Sequence, residues 1–331
     1  MATAYPIDLV IPWVDGGDPA WQAQKAEYSG QKGDARIIRY RDWDNMMYVF
    51  RGIEKNLPWI RKVHFITWGH LPAWMNTDCP KLHIVNHKDY IPEEYLPVFS
   101  ANPIEMNLHR IEDLAEHFIY ANDDMFYLQP LKPEDFFQNG LPVDAAVQNV
   151  AQFHRADGID HIVVNDLIYL NRNHNKRSAM KSNLGKWFTP KYKGGMLKNL
   201  YLMAFSNFTG FADYHIPYPY LKSTFAELWE KEPEVLETTS RNRFRSKDDV
   251  NQWLARYWQF AKGAFVPSAP NKGGLLVIGP DNDKIRDVVL NRSYPMVCLS
   301  DDDPNLDFEV EKQRIIDLFQ QILPEKSGFE R

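Results

Sequence analysis

The stretch Phe118 to Leu128 reads FIYANDDMFYL. It places an amide and two carboxylates, Asn122-Asp123-Asp124, between two runs rich in aromatic and β-forming residues. The first run predicts a buried strand over Phe118 to Tyr120. The tripeptide after it is either a plain turn, because Asn and Asp cap their own backbone, or the polar end of a strand that serves a site. Its surroundings weigh on that choice.

Upstream, Ile7 to Ile11 (IDLVI) is another short β-rich run, ending in Pro12-Trp13 and the turn-prone VDGGDP. Val63 to Thr67 and Leu82 to Asn86 read as two more strands. Asp44 to Leu57 has helical spacing, with Met47, Phe50, Ile53 and Leu57 near one face and Pro58 as the stop. Pro103 to Ala115 reads as a helix leading into Phe118. Strands alternating with helices predict an α/β fold with a mostly parallel sheet and crossover helices. In such sheets ligands lie beyond the carboxyl ends of the strands, and both VDGGD and NDD fall there.

Past Phe137, Asp144 to Gln148 reads as a strand and His174 to Tyr201 as a basic, partly helical excursion. Asp248 to Ala261 reads as a helix, Pro295 to Leu299 as a strand and Phe308 to Leu323 as a terminal amphipathic helix. The 331 residues are expected to form a single catalytic domain, with 150–210 as an inserted subdomain.

Lys and Arg number 38 against 44 Asp and Glu, a formal charge of -6, which argues against a general nucleic-acid binder. Any anionic ligand has to be met by local Arg clusters. Cys79 and Cys298 are the two cysteines, too few for a disulfide framework and in keeping with a cytosolic protein. No signal peptide and no membrane span is recognisable.

Adjacent carboxylates at a strand's carboxyl end suit Mg²⁺ or Mn²⁺ bridging a diphosphate, since these hard cations prefer oxygen ligands and keep positions for phosphate and water. Asp123 and Asp124 are the candidates, with Asn122 as a hydrogen-bond donor to phosphate. The segment ARIIRYRDWD brings Arg36, Arg39 and Arg41 close together, with Arg51 further on. It is either an anion clamp or a solvated edge paired with Asp42 and Asp44. The same choice applies to Arg241, Arg243 and Arg245 in TSRNRFRSKDD, and Asp301 to Asp303 form either part of a site or an acidic turn before a helix. His215, before the Pro-rich PYPY, is a lone histidine of the kind that is more often structural than catalytic.

Together these stretches resemble the Stealth family of sugar-phosphate transferases. Its first conserved region is similar to IDLVIPWVDGGDPAW (Ile7 to Trp21). Its second is similar to the run from ARIIRYRDWDNMMYVF to VHFIT, continued by LPVFSANPIEMNLHRIEDLAEHFIYANDDMF. Its third resembles YHIPYPYLK with FRSKDD, and its fourth MVCLSDDDPN with ILPEKSGFE. The likeness thus spans Ile7 to Glu330. Two departures stand out: Asn45-Met46 or Met46-Met47 where family members carry Glu-Leu, expected to affect helix packing, and Ser300-Asp301 where they carry Asn-Asp, which argues against a ligand role for residue 300.

The resemblance implies a GT-A-like fold and a divalent cation, Mg²⁺ or Mn²⁺. It also implies transfer of a sugar with its phosphate from a UDP-sugar to a hydroxyl of an acceptor glycan, with release of UMP. Under it, His215 is the catalytic base, Arg245 steadies developing charge with Arg243 as the alternative, and Asp123 and Asp124 hold metal and diphosphate. Asp301 is a weaker metal candidate, and Asn122 bonds phosphate or acceptor. Trp13, Val14, Asp15 and Gly16 look like the uridine loop, Arg39, Arg41 and Asp42 hold the nucleotide, and Glu105, His109 and Arg110 brace the site. A chain without its own span would meet a lipid-linked glycan as a peripheral protein at the inner membrane face, through the Lys-rich stretch Lys176 to Lys198. Rival readings are a GT-A glycosyltransferase releasing UDP and a non-catalytic glycan-assembly protein.

Overall fold

The computed structural model describes residues 4–28, 30, 41–153, 159–270, 272–279, 281–301, 303 and 306–331. Arg36, Arg39 and Asp302 lie outside the described residues. The strands, in chain order, are β1 (Ile7–Pro12), β2 (Val63–Thr67), β3 (Leu82–Asn86), β4 (His117–Tyr120), β5 (Met125–Tyr127), β6 (Phe137–Gln138), β7 (Leu141–Asp144), β8 (Tyr218–Leu221), β9 (Val266–Pro267), β10 (Gly273–Ile278) and β11 (Met296–Asp301). The first four stand where the apolar runs predict them.

The central sheet has the order β3-β2-β1-β4-β8. β1 pairs in parallel with β2 and β4, β2 with β3, and β8 closes the sheet antiparallel to β4. β2 and the first five residues of β1 are buried, as expected of strands covered on both faces. This is the mostly parallel α/β sheet that the sequence predicts. The strand order reverses between β1 and β4, so their carboxyl ends, Pro12 and Tyr120, flank a topological switch point.

A second sheet, β10-β11-β5, grows from the same place. β5 begins directly after Asp124 and pairs antiparallel with β11, Cys298 opposite Met125. The Asn122-Asp123-Asp124 tripeptide is therefore the corner at which the chain leaves one sheet for another. The Leu299 amide donates to the Asp124 carbonyl at 2.9 Å and closes that corner. The helix Met46–Asn56 packs on β5 through Gly52, where a Cβ would come within 2.9 Å of the Tyr127 carbonyl oxygen, so a side chain there has no room.

Three expectations need correction. The helix expected over Pro103 to Ala115 covers only Ala101–Met106, followed by a tight turn at Leu108–Arg110. The Asn107 side chain donates to the Pro103 carbonyl at 2.8 Å, competing with the helical ladder. The strand expected over Asp144 to Gln148 is β7, which ends at Asp144. There the carboxylate accepts its neighbour Ala145's amide at 2.6 Å and two bonds from the buried Arg256, at 2.6 and 2.9 Å.

Arg51 is not part of an anion clamp. It is buried and paired with Glu330 at 2.8 Å, with further bonds to the Leu323 carbonyl and Gln320, and so fastens the C-terminal tail to the helix Met46–Asn56. Glu330→Ala leaves that guanidinium buried without its carboxylate, and is expected to cost about 3 kcal/mol. The readout is a melting midpoint lower by about 5 °C; an unchanged midpoint refutes the role.

Candidate active site

Two clefts open at the carboxyl ends of β1 and β4, of about 200 and 220 Å³. Both are lined by Trp13, Val14, Asp123 and Asp124, so the two carboxylates form a ridge between them. Arg41, Asp42, Asn45, Ser300 and Asp301 complete the polar wall of the first cleft. Asn122, His87, Ser100 and Arg245 do so in the second, beside Trp21 and Phe99.

The sheet topology explains this convergence. Trp13 and Val14 follow β1 directly, and Asp18 caps the helix Pro19–Glu27 by accepting the Trp21 amide at 2.8 Å. Asp15 and Gly16 line neither cleft. The Asp15 amide donates to His70 at 2.8 Å and the Gly16 carbonyl accepts from Gln22 at 2.7 Å, which fixes the turn behind Trp13. Asp301 ends β11, and Arg41 reaches it at 3.4 Å and the Asp303 carbonyl at 3.5 Å. That pairing offsets the charge of Asp301, whereas Asp123 and Asp124 face each other as like charges.

Burial, then the charge of Asp124 and that of Asp42, push the Asp123 carboxyl up to about 7. Burial likewise raises Asp42, with Asp44 and Asp15 adding to it. The Cys298 thiol hydrogen-bonds Asp124, and burial and the two carboxylates push that thiol well up. Two like charges held side by side at the mouth of a cleft favour either a shared proton or a cation. Among the described residues no group of three or more His, Cys, Asp or Glu side chains converges to hold a metal. The donor set thus fits a dication that one or two carboxylates share with substrate phosphates and water, and does not fit an all-protein cage.

His215 sits at the same edge of the sheet. Because β8 runs antiparallel to β4 with Tyr218 opposite Tyr120, residues just before Tyr218 lie beyond the carboxyl end of β4. The imidazole Nδ1 is 3.5 Å from the Asp213 carboxylate, and the His215 amide donates to that carboxylate at 3.0 Å. The Tyr218 hydroxyl donates to the same group at 2.6 Å. Burial alone would raise Asp213, but the bond to His215, the charges of His215 and Arg256 and the Tyr218 hydroxyl bring it down to about 2. His215 also has φ +49°, an uncommon conformation for a residue with a side chain.

Beneath this, Glu105 is buried, accepting from the Tyr120 hydroxyl at 2.8 Å and the Gln252 amide at 3.0 Å. Burial raises its carboxyl, while the Gln252 and Tyr120 bonds and then the charges of Arg245 and His215 oppose that rise. Of the three residues expected to brace the site, Glu105 bonds to the end of β4 and to the Gln252 amide. His109 and Arg110 lie against Trp229 instead, the His109 ring tilted to it at 6.1 Å and the Arg110 guanidinium 4.7 Å from it. Arg243 lines neither cleft, lying over Tyr28 with a bond to the Leu96 carbonyl. Asn45 and Met46 line the first cleft, so this departure from the family pattern touches the site wall in addition to helix packing.

Comparison with known proteins matches these elements to conserved regions. Residues 5–33 match Stealth protein conserved region 1, residues 39–144 conserved region 2 and residues 214–258 conserved region 3. The chain belongs to the Stealth family. It is 40% identical over 335 residues to the receptor polysaccharide phosphotransferase WefC of Streptococcus oralis, covering 98% of this chain and 99% of that one. It is 38% identical over 329 residues to the capsular polysaccharide phosphotransferase WcwK of Streptococcus pneumoniae, covering 98% of each. The exopolysaccharide phosphotransferase cps2G of Lactiplantibacillus plantarum is 33% identical, over 99% of this chain and 97% of its own. A solved structure of the galactosyltransferase LgtC aligns over 97% of this chain and 96% of its own at 10% identity and a TM-score of 0.41, too slight a likeness to bear on function.

His87, Trp21, Phe99, Ser100 and Asp213 escaped the sequence reading. His87 was findable, since it directly follows a predicted strand at its carboxyl end. Asp213 was not, because its link to His215 depends on the backbone conformation between them.

Proposed function

We propose that the chain is a phosphotransferase of polysaccharide synthesis that moves a sugar-1-phosphate from a UDP-sugar to a hydroxyl of an acceptor glycan and releases UMP. The observation that carries this is the Asp123–Asp124 ridge with Arg41 on one side and Asn122 and Arg245 on the other; His215 lines neither cleft but lies beyond the carboxyl end of β4, at the same edge of the sheet. The diphosphate lies along the ridge, its nucleoside toward Trp13, Arg41 and Asp42, and its outer phosphate toward Asn122 and Arg245. Bound Mg²⁺ or Mn²⁺ would be held by Asp123 and Asp124 and would neutralise charge on the diphosphate.

The acceptor oxygen attacks the outer phosphorus while His215 takes the hydroxyl proton, Asp213 holding its Nδ1 side so that Nε2 faces the acceptor. The bond from that phosphorus to the bridging oxygen breaks, and its electron pair leaves with UMP. Arg245 faces the charge that gathers on the outer phosphate. The anomeric bond stays intact, so no carboxylate pair flanking a glycosidic bond is needed. The acceptor in this reading is a lipid-linked glycan met at the inner membrane face.

The test is the identity of the nucleotide released from UDP-sugars with a glycan acceptor. UMP is expected, together with a new phosphodiester signal in ³¹P NMR. Release of UDP instead would place the chain among ordinary glycosyltransferases and overturn the reading.

A further inference from the structure

The region between β7 and β8 carries a surface that the active site does not use. Its helix Gly194–Leu202 is anchored on one side only. Gly195 approaches Val147 so closely that a Cβ would fall 2.8 Å from a Val147 methyl. The buried Asn199 amide nitrogen donates to the carbonyls of Ala146 at 2.9 Å and Trp187 at 2.7 Å, and its oxygen accepts the Gln148 amide at 2.7 Å. Lys176 is buried and donates to the carbonyls of Leu202 at 2.6 Å and Asn207 at 3.2 Å, which ties down the turn after the helix. Lys176 is thus unavailable as the surface contact expected of it.

The opposite side faces water with apolar residues. Leu197, Leu200 and Tyr201, spaced three and four apart on one face, are 65, 59 and 74% exposed, and Met203 and Phe205 continue the patch beyond the helix. A face this apolar on a firmly held helix is a contact surface. Its rim is basic: Lys191, Lys193 and Lys198 are exposed around it. From Leu167 to Ala212 the chain has eight Lys and Arg and no Asp or Glu, in a protein of net charge -6.

We propose that this face of the helix Gly194–Leu202 and the turn after it dock on an anionic lipid bilayer, the apolar side chains entering the headgroup boundary and the lysines pairing with lipid phosphates. Protruding Leu, Tyr, Met and Phe with flanking lysines match an interfacial helix, whose affinity adds apolar burial to charge attraction. Lysine stems lie along the apolar zone and keep their ammonium groups at headgroup level. A second copy of this chain fits worse, because a two-fold contact would set the basic rim against itself. No helix among the described residues is long and apolar enough to cross a membrane, so the contact is peripheral. Since the segment leads through Gly210 and Asp213 to His215, docking would set the active site near acceptors embedded in lipid.

The test is co-sedimentation of the full chain with vesicles of phosphatidylcholine, with and without phosphatidylglycerol. Binding is expected to the anionic vesicles and to weaken with salt. It should drop about tenfold or more in the Leu200→Ser/Tyr201→Ser variant and in Lys193→Glu/Lys198→Glu. Both variants should keep wild-type turnover on a water-soluble acceptor, because none of these residues lines either cleft. A chain left in the supernatant with phosphatidylglycerol vesicles overturns the proposal. So does binding that Leu200→Ser/Tyr201→Ser leaves unchanged, or a self-association which that variant abolishes with no vesicle binding. UMP release is scored separately, so the surface and the reaction can fail independently.

Discussion

Asp123→Asn is expected to lower metal-dependent turnover by about 10³-fold or more, because a dication on the diphosphate contributes several kcal/mol to the transition state and loses half of its paired carboxylates. The fold should survive, and the sign of the stability change is informative. The carboxyl of Asp123 is raised to about 7 by burial and by Asp124, against about 3.9 in an unfolded chain. A raised acid contributes stability that is present below the unfolded value and is lost as pH climbs toward 7, because the folded chain then bears a charge that its neighbours oppose. Without metal, the Asn variant should therefore melt no lower than wild type at pH 8, and the wild type should lose stability from pH 5 to pH 8. Added Mn²⁺ should raise the wild-type melting midpoint more at pH 8 than at pH 6, and should leave the variant's nearly unmoved. Full turnover of the variant with unchanged metal dependence would refute the assignment.

The sequence revealed the frame of this site because periodicity and strand ends are local signals. IDLVI, VHFIT, LHIVN and FIY are β-rich apolar runs of strand length, and the carboxyl ends of three of them are where Trp13, His87 and Asn122 emerge. Turn and site are not alternatives here: Asn122-Asp123-Asp124 is a corner between two sheets, with Asp123 and Asp124 lining both clefts and Asn122 the second. What the sequence hid is non-local. Arg51 shares the helix that follows the Arg-rich segment, yet its partner Glu330 lies at the far end of the chain. Arg243 and Arg245 differ by two positions and have equal chemistry. Only packing sends Arg243 to the Tyr28 ring and leaves Arg245 on the cleft wall. The strand β10, half exposed and opened by two glycines, carries too little alternation to be recognised, although its Ile278 reaches the first cleft.

His215→Ala is expected to fold normally and to lose turnover by about 10² to 10⁴, the range that follows removal of a general base. The side chain is partly exposed and its Nδ1 is held by Asp213, so the loss should fall on kcat more than on KM. Asp213→Asn separates positioning from proton transfer. It keeps the Tyr218 contact and the volume but removes the charge that holds Nδ1, and a loss of about tenfold, smaller than that of His215→Ala, is expected. Asp213 itself titrates near pH 2, well below its unfolded value. A depressed acid contributes stability that is present above the unfolded value and is lost only as pH falls toward 2. The acid limb of the rate profile therefore does not report Asp213, and in Asp213→Asn it should move to lower pH as the imidazolium loses its counter-charge. Near-wild-type turnover of His215→Ala would remove the imidazole from the reaction. An acid limb unmoved in Asp213→Asn would leave that carboxylate a purely structural bond to Tyr218 and the loop backbone.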